Sequence, residues 1–152
     1  MSKRKVEFFY IDLFIAIDKI KRYTQQFEDG ESLLYDELSW DATLREFEII
    51  GEAAKYLIKE NFLDESFRSV VDFRNIVAHE YFGINAEEVF FIIKEKLPKF
   101  EKELYLLIDK FDKEILLSVI LSAKKDFNKF PHTIQLLKNI EEQIWKKIPS
   151  RY

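Results

Sequence analysis

Hydrophobic residues recur along this chain at steps of three and four, the spacing that places side chains on one face of an α-helix. The pattern predicts helices over residues 5–27, 40–60, 65–79, 85–111, 115–127 and 132–148, with a partly helical connection over 32–38. The longest stripe comprises Val89, Ile93, Leu97, Phe100, Leu104, Leu107 and Phe111. The sequence therefore predicts an all-α protein with four main helices and further helices towards its C-terminus.

Polar and special residues mark several predicted helix boundaries. Asp29-Gly30 is expected to end the first helix, and Asn85 with Glu88 resembles the capping box that begins a helix. Pro98 lies inside the fourth helix and predicts a kink. Gly51 interrupts the second helix at a cost of about 1 kcal/mol relative to alanine, which favours close approach of a neighbouring helix there.

Composition narrows the class of protein. The chain has 152 residues, 47% of them hydrophobic, and this length predicts one domain with its own core. No cysteine is present, which fits a reducing compartment, and the longest apolar run, 115–121, is too short to span a bilayer. No signal peptide is recognisable, so we expect a cytoplasmic protein without a membrane partner. The net charge of −4 implies that any contact with nucleic acid is local.

Candidate chemistry lies at the end of the third predicted helix. Arg74 precedes His79 by five residues, and Tyr81 follows two residues later. Arginine can hold a phosphate through two hydrogen bonds, and histidine can exchange a proton near neutral pH. With three glycines in the chain, no phosphate-binding glycine loop exists, and one motif histidine without cysteine cannot build a usual zinc site. Among the reactions that these residues could support, metal-free acid–base chemistry remains. RNA suits it because the 2′-hydroxyl supplies an internal nucleophile.

A structural role for the same pair stays open at this point. A five-residue step rotates about 140° around an ideal helix, so the two side chains share a face only if the helix ends or distorts between them. His132 follows a proline at a predicted helix start, where a capping or surface role is favoured over catalysis. Glu52, beside Gly51, is either a surface carboxylate or a residue that orients the arginine or histidine of the motif.

Residues 72–85 resemble the motif segment of HepT toxins in the HEPN ribonuclease superfamily, with Arg74, His79 and Tyr81 at the positions of the RX4HXY motif. Residues 40–45 and 49–54, which include the Gly-Glu-Ala stretch, resemble the second helix of that family. The resemblance covers about residues 5–111. It implies a HEPN-type up-and-down bundle of four main helices that forms a homodimer, with the motifs of two protomers facing one cleft.

The resemblance also implies an activity, that of a metal-independent endoribonuclease toxin without a cofactor. We expect Arg74 to grip the scissile phosphate, and His79 to act as base in one protomer and as acid in the other. Asn75 would hold the phosphate or fix the histidine. The expected products are a 2′,3′-cyclic phosphate and a free 5′-hydroxyl.

The family further implies a regulatory partner, the MntA-like nucleotidyltransferase antitoxin, which transfers AMP to the motif tyrosine. That residue is Tyr81 here, and adenylate phosphates two residues from His79 would place negative charge and bulk where the RNA backbone must lie. A packing role for Tyr81 is the structural alternative. Two other functions compete with the toxin: a non-catalytic HEPN nucleotide-binding partner of a nucleotidyltransferase, and a helical dimerisation module without an active site.

Residues 112–152 exceed the usual length of the family, and no counterpart for them is expected. We therefore predict a HepT-like bundle over residues 1–111 and a C-terminal helical extension over residues 112–152, packed on the same domain. The extension could widen the dimer interface, cover the cleft or bind the antitoxin.

Overall fold

The computed structural model describes residues 4–72 and 85–149, and all regular secondary structure within these residues is helical. The all-α prediction is therefore confirmed, and the helices form a HEPN-type bundle with additional C-terminal helices. The helical elements in chain order are α1 (Val6–Thr24), α2 (Gly30–Tyr35), α3 (Glu37–Lys59), a 3-10 turn (Glu65–Phe67), α4 (helical over 68–72), α5 (Ala86–Phe91), a π-helix (Ile92–Lys96), α6 (Leu97–Leu106), a second 3-10 turn (Ile108–Lys110), α7 (Lys113–Asp126) and α8 (Pro131–Lys146).

The core forms along α1, which packs most extensively against α3. Tyr10 is fully buried, stacks on Phe111 with ring centroids 4.1 Å apart, and meets Phe14 edge to face at 5.0 Å. Its hydroxyl donates a hydrogen bond to the backbone carbonyl of Leu104. Burial raises the pKa of this phenol, so it stays protonated and satisfies a polar atom that would otherwise lack a partner in the core.

Local capping explains where the helices around α3 begin and end. The Asp36 carboxylate accepts a hydrogen bond of 3.0 Å from the backbone N–H of Ser39 and so caps the start of α3. Asn61 adopts a positive φ of 65°, and this left-handed residue just beyond Lys59 stops the helix. The predicted boundaries of 40 and 60 for this helix were close to the observed ones.

The segment Asp29-Gly30 corrects a prediction. α1 ends earlier than expected, at Thr24, and Asp29 instead caps the following helix by accepting a hydrogen bond of 2.8 Å from the backbone N–H of Ser32. Gly30 begins α2 with an ordinary negative φ, so its role is not conformational freedom. A Cβ at this position would lie 2.2 Å from the carbonyl oxygen of Ala86, so glycine permits α2 to touch the start of α5.

The predicted fourth helix is a continuous helical rod with a change of hydrogen-bonding pattern inside it. Asn85 caps α5 as predicted, because its side-chain oxygen accepts from the backbone N–H groups of Glu87 at 3.0 Å and Glu88 at 3.2 Å. Where the sequence predicted a kink at Pro98, the rod widens to the π-helix Ile92–Lys96 directly before the proline. Proline has no N–H to donate to the carbonyl four residues earlier, so a regular helix would lose a bond here.

The C-terminal helices α7 and α8 also pack against α1. The apolar residues that α7 and α8 bury are Leu116, Val119, Ile120, Leu136, Leu137, Ile140 and Ile144. Lys19 of α1 lies over the ring of Phe127, 5.5 Å from its centroid, and Lys147 pairs with Asp109 at 3.5 Å. The boundary between the predicted parts at residue 112 stays a prediction. Within the described residues, no helix combines the length and apolar character that crossing a bilayer requires.

Candidate functional site

The four motif residues of the predicted site, Arg74, Asn75, His79 and Tyr81, lie outside the described residues. Their predicted roles therefore remain predictions. The structure defines the framework on both sides of them, that is, the segments that end at residue 72 and begin at residue 85. Glu52, the fifth predicted residue, lies on α3 with an exposed side chain.

The framework before the motif is anchored in the core. The Asp64 carboxylate accepts a hydrogen bond of 2.8 Å from the backbone N–H of Ser66 at the turn that leads into α4. Phe67 and Val71 are buried, with exposed fractions of 8% and 5%, and the Phe67 ring lies 5.6 Å from that of Phe100. The chain therefore approaches Arg74 from a firmly packed segment.

The framework after the motif is held by α2. The backbone N–H of Glu31 donates a hydrogen bond of 2.9 Å to the side chain of Glu87, across the contact between Gly30 and Ala86. Val89, one turn further along α5, is buried in the core. The position at which the chain leaves the motif segment thus depends on the packing of α2 against α5.

One groove on the surface of the described part of the bundle lies between α1 and α3. We call it the α1–α3 groove; its volume is about 470 Å³, and it is lined by Arg4, Phe9, Asp12, Ile15, Ala16, Lys19, Arg45, Glu46, Glu48, Ile49, Glu52, Ala53 and Phe127. Its cations face carboxylates: Arg4 lies 3.1 Å from Asp12, Lys19 lies 3.9 Å from Glu46, and Arg45 lies 3.8 Å from Glu48. This pairing leaves little positive charge with which to attract a polyanion.

Glu46 is the unusual group in the α1–α3 groove. It is 6% exposed, and the ammonium of Lys19 is the cation within 4 Å of its carboxylate among the described residues. Burial raises the pKa of Glu46, and the nearby positive charges of Lys19, Arg45 and Arg22 oppose that shift. Sequence reasoning missed this residue, although Glu46 shares a helical face with buried Thr43 and Ile50.

Another groove lies between the middle of α3, the turn and start of α4, and the rod that follows the motif. We call it the Lys96–Lys99 groove; its volume is about 410 Å³, and it is lined by Phe47, Ile50, Ser66, Phe67, Ser69, Val70, Ile92, Lys96, Leu97, Lys99, Phe100 and Glu103. Its floor is apolar and its rim carries two hydroxyls and two ammonium groups. The pattern of the sequence does not reveal this groove, because its walls come from three separate parts of the chain.

Comparison with known proteins identifies the class. The model of the HepT-like ribonuclease family matches residues 13–107, which include Glu52 and the whole predicted motif. The chain therefore belongs to the HepT-like ribonuclease family, as the resemblance of its motif segment indicated.

Individual relatives are also named as ribonucleases. The chain is 33% identical over 110 residues to "Putative RNase MJ1380" of Methanocaldococcus jannaschii, an alignment that covers 70% of this chain and 100% of the relative. It is 32% identical over 109 residues to "Probable ribonuclease HepT" of Thermococcus cleftensis, which covers 66% of this chain and 96% of the relative. No solved structure gave a significant match.

One relative bears on the C-terminal extension. The "Gamma-glutamylcyclotransferase and putative RNase MJ0434" of Methanocaldococcus jannaschii is 22% identical over 145 residues, covering 93% of this chain and 65% of the relative. An alignment of that extent reaches well into residues 112–152. The expectation that these residues lack any counterpart is therefore wrong.

Proposed function

We propose that this protein is the toxin component of a toxin–antitoxin module, a metal-independent endoribonuclease that acts in the cytoplasm as a homodimer. The observation that carries the proposal is membership of the HepT-like ribonuclease family across residues 13–107, the range that contains Arg74 and His79. The relatives named as ribonucleases support RNA as the substrate class.

The proposed mechanism divides acid–base work between two protomers. His79 of one protomer removes the proton from the 2′-hydroxyl, and the 2′-oxygen attacks the adjacent phosphorus. His79 of the second protomer protonates the departing 5′-oxygen, which leaves a 2′,3′-cyclic phosphate and a free 5′-hydroxyl. Arg74 holds the non-bridging oxygens and stabilises the charge that develops on them. Asn75 binds the phosphate or fixes the histidine, and Glu52 orients the arginine or histidine of the motif.

The first experiment expresses the wild type, Arg74→Ala and His79→Ala without any partner and follows growth and RNA integrity. The two variants should restore growth and leave RNA intact, because each removes a group that acts on the scissile phosphate. His132→Ala is the matched control for the histidine, since its side chain is exposed and lies on α8, far along the chain from the motif. Equal harmlessness of the wild type and all variants would remove the toxin proposal.

The second experiment tests the shared site with purified protein in the presence of a metal chelator. Heterodimers of wild type and His79→Ala, isolated with two different affinity tags, contain one motif histidine instead of two. If acid and base come from different protomers, such heterodimers should fall close to background cleavage. Retention of about half the wild-type activity would instead indicate two independent sites.

We further propose that an MntA-like nucleotidyltransferase antitoxin silences the enzyme by adding AMP to Tyr81. Bulky, negatively charged adenylate groups would compete with the RNA backbone for Arg74. Co-expression with such a partner should add one or more adenylates to the peptide that contains Tyr81, as measured by mass spectrometry. Tyr81→Phe should remain toxic in the presence of the partner. An inactivated complex with unmodified Tyr81 would exclude this switch.

A further inference from the structure

We propose that the Lys96–Lys99 groove binds single-stranded RNA, holding nucleotides that flank the bond cleaved at Arg74 and His79. This inference rests on the proposed ribonuclease function and adds a second contact surface to it. It assigns the groove a role in affinity and positioning rather than in the chemistry of cleavage.

The groove has the size and the surface chemistry that a nucleotide requires. Its volume of about 410 Å³ lies in the range typical of sites for small ligands. Phe67, Leu97 and Phe100 provide an apolar floor against which an unstacked base can be buried. The hydroxyl of Ser69 on the rim is exposed and can hydrogen-bond a base edge or the ribose 2′-hydroxyl, whereas the Ser66 hydroxyl already donates to the Asp64 carboxylate.

The charge of this groove distinguishes it from the α1–α3 groove. Lys96 and Lys99 are exposed, and neither forms an ion pair or a hydrogen bond with any residue in the ranges 4–72 and 85–149. Glu103 is the acidic residue of the lining, and it lies one helical turn beyond Lys99 without pairing with it. Two available ammonium groups beside one carboxylate favour a phosphate backbone, whereas the paired cations of the other groove do not.

The wall that carries the lysines is also locally irregular. The backbone N–H of Leu97 donates to the carbonyl of Ile92, which closes the wide turn of the π-helix Ile92–Lys96. Ile92, Lys96 and Leu97 all line the groove. Single π-turns inside α-helices occur frequently at functional sites, and this one coincides with the basic wall of the groove.

Chain connectivity keeps the groove close to the proposed catalytic residues. Val70 lines the groove and precedes Arg74 by four residues. A fully extended chain spans at most about 14 Å over four residues, so the two positions are never further apart than that. A short single strand of RNA that occupies the groove can therefore reach Arg74.

The main test measures RNA binding by full-length protein in which His79→Ala prevents cleavage. Fluorescence anisotropy with a single-stranded RNA oligonucleotide would compare this background with an added Lys96→Ala/Lys99→Ala pair. We expect affinity to fall at least tenfold, and the slope of log affinity against log salt to shrink by about 1.4, since each phosphate contact on a single strand contributes about 0.7. A Lys94→Ala/Lys102→Ala pair is the matched control, because it removes the same charge from the same rod outside the groove.

A second readout uses the absence of cysteine from the chain. Ser69→Cys and Ser118→Cys each introduce a single exposed thiol, the first in the groove and the second on α7, for a photoreactive label. Label at position 69 should crosslink to single-stranded RNA, and label at position 118 should not. Equal crosslinking at both positions would overturn the proposal.

The outcomes separate this inference from the proposed function. Wild-type protein that cleaves RNA, together with a groove variant that binds RNA as tightly as its parent, would overturn the inference and leave the function standing. Loss of binding in the groove variant with no cleavage by the wild type would keep the groove as an RNA-binding surface and overturn the proposed ribonuclease function. If the groove variant loses only its affinity for a nucleotidyltransferase partner, the groove is a protein interface and the inference is wrong.

Discussion

Replacing Gly30 by alanine tests how far the contact between α2 and α5 controls the motif segment. The new Cβ would lie 2.2 Å from the Ala86 carbonyl oxygen and 2.6 Å from the Glu87 backbone nitrogen, whereas ordinary contacts lie at 3.4–4 Å. Because both neighbours are backbone atoms, the start of α5 must move by about 1 Å. Overpacking of this kind typically costs about 1–3 kcal/mol, which exceeds the 0.5–1 kcal/mol that alanine gains over glycine in a helix.

We expect Gly30→Ala to lower both stability and activity. A loss of about 1–3 kcal/mol corresponds to a fall in Tm of roughly 2–12 °C for a chain of this length, measurable by thermal unfolding followed by circular dichroism. α5 begins directly after the segment that carries the motif, and a displacement of 1 Å at a reacting group can reduce catalysis about a hundredfold. Cleavage of single-stranded RNA at a temperature well below both Tm values would measure that effect.

Glu31→Ala is the matched control for this substitution. It alters the next residue of α2, and it keeps the hydrogen bond to Glu87 because the donor is the backbone N–H of residue 31. The control should therefore unfold within about 0.5 kcal/mol of the wild type, as exposed surface changes usually do. A Gly30→Ala variant with the Tm and the cleavage rate of the wild type would refute the close contact. A lowered Tm with unchanged cleavage would show that the position of α5 does not control activity.

Two further substitutions probe the grooves and the extension. Glu46→Gln should raise Tm at pH 7, because burial raises the pKa of this carboxyl and its ionised form therefore opposes folding. The gain in Tm should fade as the pH falls through that raised pKa. A gain in Tm that grows towards acid pH would contradict the raised pKa of Glu46. Ile140→Ala, at a fully buried position of α8, should cost about 2–5 kcal/mol and shift a single unfolding transition if the extension shares the domain with the bundle. A separate early transition in calorimetry would show instead that residues 112–152 unfold independently.

Periodicity predicted the fold well because most of its helices bury one stripe. The seven residues of the stripe from Val89 to Phe111 are buried or half-buried, and Asn85 caps the helix that begins it. The π-helix before Pro98 was not predictable in the same way. A proline signals a missing donor, but whether the rod kinks or widens depends on packing against other helices.

Other features escaped the sequence because they depend on tertiary contacts. Gly30 resembled a helix terminator, yet its use is set by Ala86, 56 positions away. Nothing in the sequence pattern singled out Glu46, yet its position on α3 places it in the lining of the α1–α3 groove. The candidate site could be found from the sequence because its motif residues lie close together in the chain. The Lys96–Lys99 groove could not, because it joins residues that range from Phe47 to Glu103.

The burial of α1 by several helices has a consequence for relatives of about 110 residues. In this chain α1 contacts α3, α6, α7 and α8, and residues 13–17 are buried without interruption. A homologue without α7 and α8 would expose to water, in the isolated protomer, the part of α1 that these two helices cover here. Its first helix should therefore carry hydrophilic substitutions at the positions that α7 and α8 cover here, and grafting this chain's α1 into such a homologue should make it aggregate.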